Sequence, residues 1–305
     1  MFLYKIDGNN LEEIKENPFS KEVELHKLCE NNLENIFGLR FVKREFSFNN
    51  FRLDTLAFDE SNKSFVIIEY KNTSNFSVID QGYAYLSLML NNKADFTLEF
   101  NENCNSTLKR DDVDWSQSRV IFVSPAFNNY QKESINFKDL PIELWEVKRF
   151  ANDTMYLNQI KSSKTSESIK TISTNSSEVD IVNREVKVYT EEQHLNNSSE
   201  EIVELYEKIK DFILSLDDTI EIKAKKLEVG FVYNKRVMVD IHLQKKALKI
   251  WLNTKAGTLD DSRNIARDVS STGHWGNGDY EIQISNDEDI EYIFSLIKQL
   301  YKKRS

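Results

Sequence analysis

Residues 51–72, FRLDTLAFDESNKSFVIIEYKN, have few ways to fold. Two apolar-rich runs flank DESNKS, whose small and polar residues favour a turn, so the segment reads as a β-hairpin. Side chains alternate faces along a strand, which turns Val66, Ile68 and Tyr70 to one side and Ile67, Glu69 and Lys71 to the other. A turn symmetric about Ser61 and Asn62 sets Asp54 opposite Glu69. Two carboxylates facing each other across a strand pair cost about 0.2–1 kcal/mol, and a cation between them reverses the sign. A hard divalent ion such as Mg²⁺ needs only one or two carboxylates because it keeps several waters. Lys71, on the face of Glu69, adds a positive charge suited to a phosphate or an attacking water. Read alone, Glu69 and Lys71 also fit an ion pair at a sheet rim.

A helix expected from about Ile79 to Leu90 follows the hairpin. It carries Gln81 and Tyr85 at i and i+4, on one face. Both can point at the same site, although Tyr85 also suits core packing with Leu88 and Met89.

Upstream, KEVELHKLCENNLENIF repeats apolar residues at helical spacing and ends at Gly38. Strands are expected over 41–48, 52–58 and 65–71. Downstream, RVIFVSPAF and IELWEVKRF read as buried strands with a short helix from Gln131 between them. The Ser/Thr/Lys-rich stretch Lys161 to Asp180 has no aromatic residue and no apolar period, as a linker would. After it come a helix over EEIVELYEKIKDFILSL, strands VMVDIHL and ALKIWLN, and a terminal helix over DIEYIFSLIKQLYKK. The organisation expected is an α/β unit over 1–160, a linker over 161–183 and a smaller α+β unit over 184–305.

At 305 residues the chain is long enough for two cores. Cys29 and Cys104 form neither a disulfide framework nor a zinc spacing, and His26, His194, His242 and His274 do not cluster with them. No apolar run approaches the roughly 18 residues a membrane helix needs, and the N-terminus lacks a signal-peptide layout. A soluble, cytoplasmic protein with no membrane partner is expected.

Asp54, then Glu69-Tyr70-Lys71, then Gln81-x-x-x-Tyr85, preceded by a helix with Glu22 and Glu24, resembles the PD-(D/E)XK nuclease superfamily. The resemblance covers about residues 20–150 and includes the Gln-x-x-x-Tyr helix of its RecB-like branch; Leu53 stands where the superfamily is named for proline. It implies a restriction-endonuclease-like mixed sheet flanked by helices. It implies Asp54, Glu69 and the Tyr70 backbone carbonyl as ligands of Mg²⁺, with Mn²⁺ as a substitute, and Lys71 as the catalytic lysine. Gln81 and Tyr85 would orient substrate or water, and Glu22 or Glu24 would reach the metal through water. The activity implied is metal-dependent phosphodiester hydrolysis, on DNA in preference to RNA, in a protein that can act as a homodimer and in a restriction or anti-phage setting. A non-catalytic nucleic-acid-binding module on the same fold is the alternative.

The net charge of −10 opposes general coating of nucleic acid, but Lys223, Lys225, Lys226, Lys235, Arg236, Lys245, Lys246, Lys249 and Lys255 face only Glu228 and Asp240 between residues 223 and 255. With Tyr233 and Trp251 interleaved, this strip suits a polynucleotide backbone, or equally a solvated sheet face with Trp251 in the core. STGHWGNGDYEI places His274, Trp275, Asn277 and Asp279 among three glycines, a tight loop able to present polar groups to a ligand. The longer stretch DSRNIARDVSSTGHWGNGDYEI resembles a signature of a domain appended to such nucleases and sometimes labelled a predicted transport protein. The second unit is accordingly expected to bind substrate, or an effector that gates the nuclease.

Overall fold

The computed structural model describes residues 2–48, 51–72, 77–137, 139–161, 177–272 and 276–305. They divide into Met1–Val188 and Tyr189–Ser305.

The N-terminal unit begins with a two-stranded hairpin, β1 (Leu3–Asp7) and β2 (Asn10–Ile14), followed by α1 (Glu22–Glu30) and α2 (Leu33–Phe37). The single helix expected over this stretch is thus broken near Asn31 and Asn32, and Gly38 ends α2 at φ 68°. Strands β3 (Arg40–Phe48), β4 (Phe51–Asp59) and β5 (Ser64–Tyr70) lead into α3 (Val78–Asn91) and α4 (Lys93–Asn103). Then come β6 (Arg119–Ser124), α5 (Asn129–Ser134), β7 (Ile142–Arg149), β8 (Met155–Ile160) and α6 (Ser177–Glu185).

β3 to β8 form one six-stranded sheet in chain order. Its centre, β5–β6–β7, is parallel, and the flanking pairs are antiparallel. Alternation divides the core between the two faces. Leu56, Phe58, Phe65 and Ile67 pack with α3 residues such as Leu86 and Met89, while Ala57, Val66, Ile68 and Tyr70 pack with Leu25 and Cys29 of α1. Every residue of β5 is buried, as a central strand covered on both sides requires.

α6 begins inside the segment expected to be a linker and runs two residues past its end. Its Val182 is fully buried in the α3-side core, and the division between units falls after Val188 rather than at 183. The remaining linker residues, 162–176, lie outside the described residues.

The C-terminal unit contains α7 (Glu191–Leu195), α8 (Glu200–Leu214), β9 (Glu221–Ala224), β10 (Val229–Tyr233), β11 (Arg236–Leu243), β12 (Leu248–Leu252), β13 (Arg267–Asp268), β14 (Tyr280–Ile284) and α9 (Ile290–Arg304). Its antiparallel sheet runs β13-β14-β12-β11-β10-β9. One face, through Phe231, Val239, Ile241, Ile250 and Ile282, meets the apolar stripes of α8 and α9. The protein is therefore α/β in its first unit and α+β in its second. Among the described residues no helix is long and apolar enough to cross a membrane.

Candidate active site

β4 and β5 pair in the register the symmetric turn predicts, from Asp59↔Ser64 to Thr55↔Ile68. One residue further, Asp54 and Glu69 stand across from each other where the strands part. There the Asp54 carboxylate accepts the Tyr70 backbone N–H at 3.0 Å instead of a ladder bond.

Glu69 is 4% exposed. Its Oε1 accepts Lys71 Nζ at 2.7 Å and Gln81 Nε2 at 3.1 Å. The same Gln81 nitrogen donates to the Tyr85 hydroxyl at 2.7 Å, so the i, i+4 pair acts as one polar unit on α3. Ser77 caps that helix by accepting from the Asp80 N–H. Burial raises the Glu69 pKa, the charge of Asp54 raises it further, and Lys71 only partly offsets them. Burial and then the Glu69 charge push the Tyr85 hydroxyl up, keeping it a neutral hydrogen-bonding group.

The first helix contributes one polar row. Glu22 accepts the Asn72 backbone N–H at 3.0 Å, just past Lys71, whereas Glu24 pairs with Ser20 at 2.8 Å and faces Arg149 at 3.9 Å. Of the two acids, the structure brings Glu22 to the cluster. One turn on, His26 Nε2 lies 3.6 Å from Asp54 Oδ2, with its ring edge-on to Tyr70 at a centroid distance of 4.3 Å. A further turn on, buried Glu30 accepts the Thr55 hydroxyl at 2.6 Å and pairs with Arg44. Burial lowers the His26 pKa, but the carboxylates of Asp54, Glu30 and Glu22 outweigh it and the net shift is upward. Sequence reasoning missed His26 and Glu30; their signal was the i, i+4, i+8 spacing from Glu22.

Among the described residues no group of three or more His, Cys, Asp or Glu side chains is gathered to hold a metal. The pair Asp54 and Glu69 nevertheless fits a hard divalent ion. Glu69 Oε2 is buried without a hydrogen-bond partner among the described residues, and the neighbouring charge of Asp54 disfavours its ionisation. A cation relieves both.

A protein of Haemophilus influenzae, named "Uncharacterized protein", is 51% identical over 302 residues, covering 99% of this chain and 100% of its own length. The chain belongs to that protein's family. Residues 191–303, nearly all of the second unit, match the model described as "Domain of unknown function (DUF5655)". Among solved structures, a repair endonuclease from Pyrococcus abyssi shows 17% identity and a TM-score of 0.25, over 43% of this chain and 48% of that one. An EndoMS complex with double-stranded DNA shows 16% identity and a TM-score of 0.27, over 44% and 60%. SfsA from Pyrococcus furiosus in complex with Ca²⁺ shows 12% identity and a TM-score of 0.26, over 50% and 78%. Such scores are too low to speak for a shared fold or activity.

In the DUF5655 segment the structure breaks up the basic strip. Lys225 is 5% exposed and held by Asp240 at 2.8 Å and Glu228 at 3.5 Å; Trp251 is 1% exposed. Neither can meet a polynucleotide, because each is beneath the surface. Lys249 pairs with Glu281 at 3.4 Å. Lys235 and Arg236 sit at the β10–β11 turn, while Lys226, Lys245 and Lys246 sit at the turns of the opposite sheet end, and Lys223 lies on the outer strand β9.

The glycine-rich loop is built into the sheet. Asn277 donates its backbone N–H and side-chain amide to Asp240 at 2.9 and 3.0 Å. Asp279 accepts the Ala256 N–H at 2.8 Å, and Gly276 lies against the Trp251 ring so closely that a Cβ would come within 2.3 Å of it. These contacts give Asn277 and Asp279 structural work within the loop; His274 and Trp275 lie outside the described residues.

Proposed function

We propose that the N-terminal unit is a metal-dependent nuclease that hydrolyses phosphodiester bonds in DNA. The observation that supports this most is the convergence of Asp54, Glu69, Lys71, Gln81 and Tyr85 at one end of β4 and β5, with a buried carboxylate oxygen of Glu69 that has no hydrogen-bond partner among the described residues.

Asp54, Glu69 and the Tyr70 carbonyl would hold Mg²⁺, or Mn²⁺ in its place, and Glu22 would reach it through water. Such an ion supplies charge neutralisation and makes water more acidic. Lys71 stabilises the negative charge that grows on the phosphate and the leaving oxygen in the transition state. Gln81 fixes Glu69 through Oε1, which leaves Oε2 for the site, and Tyr85 anchors Gln81. Glu22, through Asn72, and His26, beside Asp54, hold the strand ends in place. No covalent nucleophile is required.

Incubating the purified chain with plasmid, single-stranded DNA and RNA in Mg²⁺, Mn²⁺ or EDTA tests the reading. Metal-dependent cleavage of DNA supports it. Binding of nucleic acid without cleavage under any metal would favour the non-catalytic module instead.

A further inference from the structure

We infer that the substrate strand is engaged through unpaired bases, stacked on Phe51 and Tyr130 at either side of the catalytic cluster. This rests on the nuclease reading and names its substrate class as single-stranded or locally unpaired nucleic acid. Phe51 opens β4, three residues before Asp54. It is 41% exposed, and its ring meets Tyr85 in a T-shaped contact at 6.3 Å. An exposed aromatic ring thus packs against Tyr85, the residue whose hydroxyl holds Gln81 and, through it, Glu69.

Tyr130 belongs to the other side. β6 runs parallel to β5, with Tyr70↔Val123 in register and the Lys71 N–H donating to the Val123 carbonyl at 2.9 Å. The chain therefore leaves β6 at the edge where Lys71 stands, and four residues later enters α5. Asn128 caps that helix through a reciprocal pair with Gln131, which is buried, and the helix packs on α3. On this fixed support Tyr130 is 88% exposed, more than any other large apolar side chain among the described residues.

A ring so exposed contributes little to a core. Among the described residues the other exposed aromatics lie elsewhere, Phe2 and Tyr4 at the β1–β2 hairpin and Phe41 at the far end of β3. β4 and β6 flank β5 and so stand about 10 Å apart at the usual strand spacing. Bases within a duplex present no free face to side chains on both sides of a scissile phosphate, whereas an unpaired strand does.

Single-turnover and steady-state cleavage of a single-stranded oligonucleotide and its duplex by the full chain, and by Phe51→Ala, Tyr130→Ala and Tyr130→Trp, tests the inference. The single strand should be cut with a kcat/KM at least about 10-fold above the duplex. Each alanine variant should raise KM about 5- to 150-fold, the weight of one base stack, with a much smaller fall in kcat. Tyr130→Trp should restore KM. In the non-cutting Asp54→Ala background, abasic substitutions in the oligonucleotide should weaken binding, and part of that effect should vanish when Tyr130 is also alanine. A wild type that cuts but prefers duplex, or alanine variants with unchanged KM, overturns this inference alone. A wild type that cuts nothing under any metal overturns it together with the nuclease reading.

Discussion

Asp240→Ala should destabilise the C-terminal unit by about 3–5 kcal/mol. The Asp240 carboxylate is fully buried and accepts three hydrogen bonds, from Lys225 Nζ at 2.8 Å and from the Asn277 backbone and side chain at 2.9 and 3.0 Å. Without it the Lys225 ammonium, 5% exposed, retains Glu228 at 3.5 Å as its carboxylate partner among the described residues. Breaking a buried ion pair from one side costs about 3–5 kcal/mol because a charge is left without compensation. Asn277 loses Asp240 as the acceptor of two hydrogen bonds, which adds to the loss. A typical domain holds only about 5–15 kcal/mol in total. Urea unfolding of the full chain, followed by circular dichroism, measures the effect. The double variant Lys225→Met/Asp240→Leu should recover part of the loss, since the Lys225 ammonium is then gone, while buried Glu228 gives up its contact with Lys225. A single variant within about 1 kcal/mol of wild type, or a double variant no better than the single, would refute the reasoning.

His26 gives a pH signature. Its folded pKa is raised above 6.5, so its stabilisation is fully present below that value and is lost as pH rises through the raised pKa. In metal-free buffer the Tm advantage of wild type over His26→Gln should shrink as pH climbs past 6.5, and a constant difference would count against the charged pair. Gly278 has φ +100° and a Cβ there would lie 2.3 Å from the Leu252 carbonyl oxygen, whereas Gly257, at φ +76°, has open space around it. Gly278→Ala should therefore cost on the order of 2 kcal/mol more than Gly257→Ala, and equal losses would rule out the close approach. Gln81→Ala should lower kcat about 10-fold or more on cleavable DNA, with KM less affected, because Glu69 loses its fixed orientation. An unchanged kcat would remove Gln81 from the site.

The hairpin register was legible because it is local: a short symmetric turn and period-2 alternation set it. Gln81 and Tyr85 were equally legible, since helical spacing alone puts them on one face. The choice between Glu22 and Glu24 needed the packing of α1 on the sheet, which turns Glu22 to Asn72 and Glu24 to Ser20. His26 escaped for the same reason. α6 was hidden by a Ser/Thr-rich neighbourhood; among its described residues Val182 is fully buried, and Val179 and Ile181 pack only partly buried against the same core. The basic strip misled because a window of sequence adds charges that strand reversal sends to opposite ends of a sheet. Lys225 and Trp251 look like surface contacts until the loop carrying Gly276 and Asn277 closes over Trp251 and Asp240.

The central claim is that carboxylates hold a metal while Lys71 acts on the substrate, and one paired measurement separates these roles. Mn²⁺ binding by titration calorimetry and DNA cleavage should be followed together in wild type, Asp54→Ala and Lys71→Ala. The account predicts that wild type binds and cuts, that Asp54→Ala loses both, and that Lys71→Ala binds Mn²⁺ but does not cut. A Lys71→Ala variant that cuts as wild type, or an Asp54→Ala variant that still binds the ion and cuts, would contradict it.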